Sequence, residues 1–364
     1  MLIYILVAIF PLFIGNIYEN RIKIRFSEAE IDSKRSRKTR WWWILISALP
    51  MFTLIAFRGS ALGSDTLTYL RIFKEVSNTP WNRLLIVNDA TYEFEHGFVI
   101  FEKLISLVTS TPQIYQIIYS TIYLIAVVTF ANQLEKHNFS FLYFFATLGI
   151  YTFMFTGVRQ SLAMCICLLS YPLVKRRRFV PFALLVVLAF TFHKSAILFL
   201  AVYFIYGRKI NFINSIFYAS FAVVAYIYIE VIQNWFNDTL DYEYNIEKTG
   251  NGAVFFIVII LITAFSFFAI LHYRKQTFES VGLLNVGIIT LIFWLLRLAT
   301  RVAERPSYYF MFFTAAMLCY GVDAPKSSID RLLVKSVIYV AFMLLYIYRF
   351  STNFATLVPY ATFF

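Results

Sequence analysis

The stretch LLVVLAFTFHKSAILFLAVYF, Leu184 to Phe204, is apolar at almost every position and yet carries His193 and Lys194 side by side near its middle. Whether it forms one helix or two decides the topology of everything after it. The apolar run extends from Phe179 to Tyr206, between the basic tract Lys175–Arg178 and the pair Arg208 and Lys209. As a single helix it would measure roughly 42 Å at 1.5 Å per residue, well beyond a hydrocarbon core of roughly 30 Å. A lysine at the centre of such a helix would cost roughly 3 kcal/mol. Two short arms turning at His193 and Lys194 avoid both penalties and put the imidazole and the ammonium at an outer, water-accessible tip.

The surroundings of this stretch are of the same kind. Hydrophobic residues make up 60% of the chain and charged residues only 14%, with a mean hydropathy of +0.70. Apolar runs recur from end to end, and no polar region is long enough to form a soluble domain. The composition therefore predicts an all-α, polytopic integral membrane protein with one membrane domain over residues 1–364. The opening MLIYILVAIFPLFIG has no basic leader and no small-residue cleavage site, so it reads as a retained span. A net charge of +12 does not imply nucleic acid, because the lysines and arginines are spread over loops between spans, where they set topology and meet headgroups. Cys165, Cys167 and Cys319 lie inside apolar runs without a ligand spacing and read as packing residues.

Charge then assigns sides. Arg21–Arg40 holds eight Lys or Arg against three acids, and the tract KRRR at Lys175–Arg178 holds four with none, so both are expected in the cytoplasm. Residues 140–174 are too long for one crossing and break only at TGVRQ around Gly157, which puts Arg159 and Gln160 at an outward tip. The same rule predicts about 12 transmembrane helices, near residues 1–19, 41–57, 112–133, 140–156, 158–174, 179–192, 195–206, 211–232, 253–271, 281–297, 307–322 and 332–348. The non-cytoplasmic, periplasmic loop is expected within 58–111, ending in EHGFVIFEKLISLV, an amphipathic segment expected to lie along the outer interface. A second outer loop, QNWFNDTLDYEYNIEKTGNG, is acidic and aromatic, and Trp41–Trp43 read as an interfacial anchor.

Polar residues cluster on the outer side. FRGSALGSDTLTY holds Arg58, Asp65 and Tyr69, and YEFEHG holds Glu93, Glu95 and His96. GVRQ holds Arg159 and Gln160, and FHKS holds His193, Lys194 and Ser195. RLATRVAERPSYY holds Arg297, Arg301, Glu304, Arg305, Tyr308 and Tyr309. Arg297, Arg301 and Arg305 recur every fourth residue, which on a continuous helix makes one cationic face. That face is either a snorkelling stripe paired with Glu304 or a multivalent anion site, and guanidinium forks suit a pyrophosphate near the headgroups. Arg159 reads as a solvated tip or a buried anion contact. His193 is the most economical proton acceptor, with Asp65 and Glu95 as alternatives that spacing does not separate. Asp65 also suits a helix cap.

The order of these motifs, fRGs..GsDt..Y, then E.GF, then glycine and RQSLA opening a helix, then a basic loop, then FHKSA, then the arginine-rich turn RpsYYF, resembles the EpsG family of bacterial polysaccharide polymerases and, more broadly, the O-antigen polymerase Wzy. The likeness runs from Arg58 to about Phe313, and RQSLA and FHKSA are its most specific parts. The resemblance implies a membrane-embedded glycosyltransferase of the GT-C type in a bacterial inner membrane, active on the periplasmic side. Its donor would be a growing glycan on undecaprenyl pyrophosphate and its acceptor one repeat unit on the same carrier. A chain-length regulator and a flippase are the implied protein partners, and no cofactor, metal or nucleic acid is expected. On this reading Arg58, Arg159, Arg297, Arg301 and Arg305 hold the pyrophosphate. His193, Asp65 or Glu95 supplies the base, while Gln160, Lys194, Tyr69, Tyr308 and Tyr309 touch sugar or phosphate. A transporter of lipid-linked glycans and an O-antigen-ligase-like transferase share these features and stay open.

Overall fold

The computed structural model describes residues 1–25, 34–86, 94–240, 252–273, 276–352 and 356–363. Glu93 and most of the acidic segment after Leu240 lie outside the described residues. The chain is 82% helical, with no strand among the described residues, so helices alone satisfy the backbone polar groups in an apolar surrounding. It divides into two compact units. The first comprises Met1–Pro172, Ala183–Lys194 and Tyr339–Phe364, and the second Leu173–Phe182 and Ser195–Ile338.

In the first unit α1 (Leu2–Arg25) and α2 (Lys34–Ala56) lead into three shorter helices, α3 (Thr66–Asn78), α4 (Trp81–Ile86) and α5 (His96–Ser106). They are followed by α6 (Pro112–Asn132), which starts where Pro112 gives up an amide that the first turn does not need. α7 (Asn138–Thr147), α8 (Ile150–Phe153) and α9 (Val158–Leu169) complete the unit's own helices. α6 packs against α2 and α9, and α1 packs against α2 and α7. The core is aromatic, with Tyr115, Tyr119 and Tyr123 buried in a row along α6 at helical spacing.

α10 (Tyr171–Lys175) and α11 (Phe179–Phe192) carry the chain between units. The second unit contains α12 (Leu200–Ile205), α13 (Phe212–Ile227), α14 (Ile229–Leu240), α15 (Gly252–His272), α16 (Phe278–Leu296) and α17 (Glu304–Val322). A reciprocal capping box between Thr277 and Ser280 starts α16. α17 lies against α15 and α16 and is buried along most of its length. α18 (Ser328–Ser351) begins in the second unit and ends in the first, where Tyr143 donates to the Tyr339 carbonyl and Arg349 to that of Leu148.

The opening stretch doubles back. α11 ends at Phe192, a 3-10 turn covers Lys194–Phe199, and α12 returns the chain. At its base Arg177 donates to the carbonyls of Tyr203 and Tyr206, while Tyr203 donates to the Arg177 carbonyl, so the stretch begins and ends at one place. α11 is about 21 Å long, short of a core of roughly 30 Å.

Helices of spanning length and composition are fewer than the expected 12 crossings. Among the described residues, six helices are long and apolar enough to cross a membrane: Leu2–Arg21, Arg37–Ala56, Pro112–Asn132, Gly252–His272, Phe278–Leu296 and Ser328–Ser351. α13 and α14, expected as one span, bend by 74° at their junction and add a seventh only if counted together. Residues 140–174 break at Gly157 as expected but also at Gly149, whose φ of +88° lies where glycine alone is unstrained. The Arg349 guanidinium carbon sits 2.7 Å from where a Cβ on Gly149 would stand. The segments on either side are thus too short to cross singly. In the amphipathic segment at α5 an apolar face is the exposed one. Glu102 and Lys103 are buried, whereas Ile100, Leu104, Leu107 and Val108 are exposed, as suits a helix whose outer face meets lipid.

Gly149→Ala is expected to destabilise the first unit by about 2 kcal/mol through left-handed strain, with more from the displaced Arg349. Thermal unfolding of the detergent-purified protein checks this, and an unchanged midpoint would contradict it.

Candidate functional site

In the first unit three segments far apart in sequence meet at Glu95. This residue is the N-cap of α5, with extended backbone angles, and its carboxylate lies almost wholly inside the protein. Arg159, in the first turn of α9, donates Nη1 to Glu95 Oε2 at 2.6 Å. His193, one residue past the end of α11, places Nδ1 3.1 Å from Glu95 Oε1. The backbone N–H of Lys194 donates to the same oxygen at 3.1 Å. A carboxylate only accepts, so Nδ1 is the ring nitrogen that donates to Glu95, and Nε2 lies on the far side of the ring. Glu95 thereby ties Arg159, His193 and the Lys194 amide to one carboxylate.

Local packing explains how the three segments come so close. Gly97 lies against Thr191 near the end of α11, and a Cβ there would stand 2.6 Å from Thr191 Cβ. Phe101 and Phe192 pack alongside, with ring centroids 5.6 Å apart. Arg159 stacks on Phe94, its guanidinium carbon 3.8 Å from the ring centre, and Phe94 packs in turn on Tyr69 and Phe98. The stacked ring covers one guanidinium face while the fork reaches the carboxylate. Gly157, the N-cap of α9, packs against Phe153. Phe94 and Thr191 were missing from the sequence reading, whereas Gly97 is the glycine of the E.GF motif.

The other expected residues of this unit divide clearly. Arg58 is completely buried and spends its guanidinium on protein acceptors: Thr66 Oγ1, the Ile55 and Phe155 carbonyls and the Tyr119 hydroxyl, at 2.8 to 3.2 Å. Gln116 donates to the Arg58 carbonyl from the neighbouring helix. This is a latch between the end of α2, α6 and the segment before α9, and it differs from the expected pyrophosphate contact because no face of the guanidinium is open to an anion. Asp65 takes the N-cap position of α3 without a side-chain capping bond. Tyr69 and Gln160 are buried, Lys194 is half-buried, and His96 is exposed.

In the second unit the expected arginine stripe is broken. α16 ends at Leu296, Thr300 is extended, a 3-10 turn covers Arg301–Ala303, and α17 starts at Glu304. Pro306 in the first turn of α17 has no amide to donate back to residue 302, and its ring disfavours a helix running through from α16. The three arginines therefore do not share one helical face. Arg297 is buried, lies against Gly252 and pairs with Glu304 at 2.9 Å, which is the ion-pair alternative for that residue. Arg301 and Arg305 are exposed. Tyr308 donates to Glu304, and Ser195 to the Tyr309 hydroxyl. Thr300 donates to Gln233 at 2.7 Å in a buried contact.

The two kinds of buried position call for different responses to mutation. Arg58→Ala is expected to cost about 3 kcal/mol or more, by removing the guanidinium that ties Thr66, Tyr119 and the Ile55 and Phe155 carbonyls together and leaving a cavity in its place, and to lower the yield of folded protein. Gly97→Ala is expected to leave a folded protein in which α5 has moved away from α11, with activity reduced by about two orders of magnitude. Detergent-extractable yield and melting temperature, set beside activity per folded molecule, check both. A folded but inactive Arg58→Ala protein would restore that residue to the site.

The EpsG family model matches residues 41–362, most of the chain. No curated protein and no solved structure matches it. The match spans every motif described above, the Glu95, Arg159 and His193 cluster included. The chain thus belongs to the EpsG family, a family of polysaccharide-biosynthesis membrane proteins that contains Wzy-type polymerase-like members.

Proposed function

We propose that this protein polymerises lipid-linked oligosaccharide repeat units on the outer face of a bacterial inner membrane. The observation that carries the reading is His193 fixed through Nδ1 by the buried Glu95 carboxylate, which leaves Nε2 as the proton acceptor. The acceptor is a sugar hydroxyl of one repeat unit on undecaprenyl pyrophosphate. His193 takes the hydroxyl proton as the oxygen forms its bond to the anomeric carbon of the donor glycan. The bond from that carbon to the carrier's phosphate oxygen breaks, and undecaprenyl pyrophosphate leaves with the electron pair. Glu95 stabilises the imidazolium, as a carboxylate does when held against the far nitrogen.

The leaving group carries its own charge, so cations must meet it. Arg301 and Arg305 are exposed guanidinium groups suited to phosphate, and we assign them that role. Arg159 is already committed to Glu95, so its part is to hold the carboxylate and, with its remaining donors, the substrate. Lys194, Gln160 and Tyr69 are assigned to sugar or phosphate contacts, as are Tyr308 and Tyr309. Asp65 remains the second choice as base.

The test is reconstitution of the purified protein with a single lipid-linked repeat unit and no other acceptor. A ladder of products is expected from the polymerase, whereas counterflow without a change in glycan length would identify a transporter. A requirement for a different acceptor would identify a ligase-like enzyme. His193→Ala is expected to reduce the ladder by about 100-fold or more, without rescue by excess substrate. Arg301→Ala with Arg305→Ala is expected to abolish the ladder in a protein that still inserts. Full activity in the histidine variant moves the base to Asp65, and normal ladders in the double variant remove the arginines from the site.

A further inference from the structure

Glu102 has no place in the chemistry above. It lies on α5 seven residues after Glu95, two helical turns on and on the same face. It is fully buried. Tyr115 of α6 donates to its Oε1 at 2.8 Å, and its Oε2 is buried with no hydrogen-bond partner. Lys103, its neighbour, turns the other way and donates to the Val76 and Ser77 carbonyls at the end of α3. α3 faces α5 with Tyr69, Leu70, Phe73 and Val76, while its Arg71, Lys74 and Glu75 are exposed. Tyr115 stacks on Phe73, with centroids 4.3 Å apart. From α9 the charged group that acts on Glu102 is Arg159. From α11 the nearby segment brings Thr191, Phe192 and His193, the last bound to Glu95.

We propose that Glu102 is a positioning residue for the cluster: a fully buried carboxyl two turns along α5 from Glu95 and on the same face, kept neutral so that the Arg159 guanidinium stays committed to Glu95 and, through Glu95, His193 stays in place. Burial is the cause, pushing the Glu102 carboxyl up to about 8 against the smaller opposing effects of Tyr115 and Arg159. The unpartnered oxygen costs less to bury on a neutral carboxyl than on a carboxylate, which would leave a charge unsolvated. Above that range Glu102 ionises, and two carboxylates on one helix face compete for one guanidinium.

The sign of the stability effect follows from the raised value. The folded state holds a proton that the unfolded chain has released, so Glu102 lowers stability progressively as pH rises from about 4.5 to about 8, with no further change above. Glu102→Gln keeps the Tyr115 bond and cannot ionise, so its melting temperature should lack that fall.

The deciding experiment is an infrared titration of the full chain in lipid nanodiscs, following the carbonyl stretch of a protonated carboxyl. The wild-type protein is expected to show the band at about pH 6 and Glu102→Gln to lack it, with loss on titration centred near pH 8. Glu95→Gln releases Arg159 and should lower the midpoint by about one unit or more, whereas Arg159→Gln should raise it by a similar amount. Unchanged midpoints in both variants, or no protonated band at about pH 6, would overturn the proposal. Because the role builds on His193 as the base, a ladder assay accompanies the titration. The ratio of activity at about pH 9 to that at about pH 7 should fall about fivefold or more in the wild type and stay near one in Glu102→Gln. An equal fall in both would also overturn it. The stated midpoint shifts in a chain that makes no ladder would uphold the coupling and sink the polymerase reading instead.

Discussion

The Glu95 carboxylate is the point on which the first unit's polar interior depends. An ionised carboxylate removed from water costs several kcal/mol unless its oxygens are met by donors, and here they come from Arg159, His193 and the Lys194 amide. Each donor belongs to a different stretch of chain from the acceptor, so satisfying one charge fixes three segments against one another. The N-terminus of α5 adds its own favourable field for an anion at that position. Loss of any one partner leaves the others holding an uncompensated buried charge, which is why such clusters are rigid. Rigidity of that kind is what a proton acceptor needs, because an imidazole that wanders loses both its tautomer and its aim.

Arginines in this protein show how environment assigns different work to one side chain. Arg58 is sealed among carbonyls and rings and joins helices. Arg159 is stacked on Phe94 and paired with Glu95, with a small part of its surface open. Arg297 is neutralised by Glu304. Arg301 and Arg305 alone of the five are exposed. An exposed guanidinium can exchange water for phosphate at small cost, whereas a buried and saturated one must first break bonds worth roughly 1.5 to 3 kcal/mol each. Membership of the EpsG family makes the chain a membrane protein of polysaccharide biosynthesis, and this ordering by exposure is the reason that the phosphate role is assigned where it is.

Much of the fold was legible along the chain. Composition alone required a helical membrane protein, and six of the anticipated spans are long apolar helices at nearly the anticipated positions. The turn at His193 followed from length and charge, as did the break at Gly157. What misled was the assumption that each apolar run must cross. The break at Gly149 lies against an arginine some 200 residues later, Arg349, and a 3-10 turn at Arg301–Ala303 interrupts the helix between Arg297 and Arg305. Fourfold spacing means one face only while the helix continues.

Residue types and motif order along this sequence determined the solvent in which it lives, the side chains able to move a proton or meet a phosphate, and the family it resembles. Only the packed chain decided that Glu95 meets Arg159 and His193, that Arg58 is a latch, and that Glu102 is turned inward. The physical reason is that a buried charge is defined by its partners, and these lie 64 and 98 positions from Glu95. Their approach is licensed by a missing Cβ at Gly97 and a ring at Phe94, which no spacing along the chain encodes.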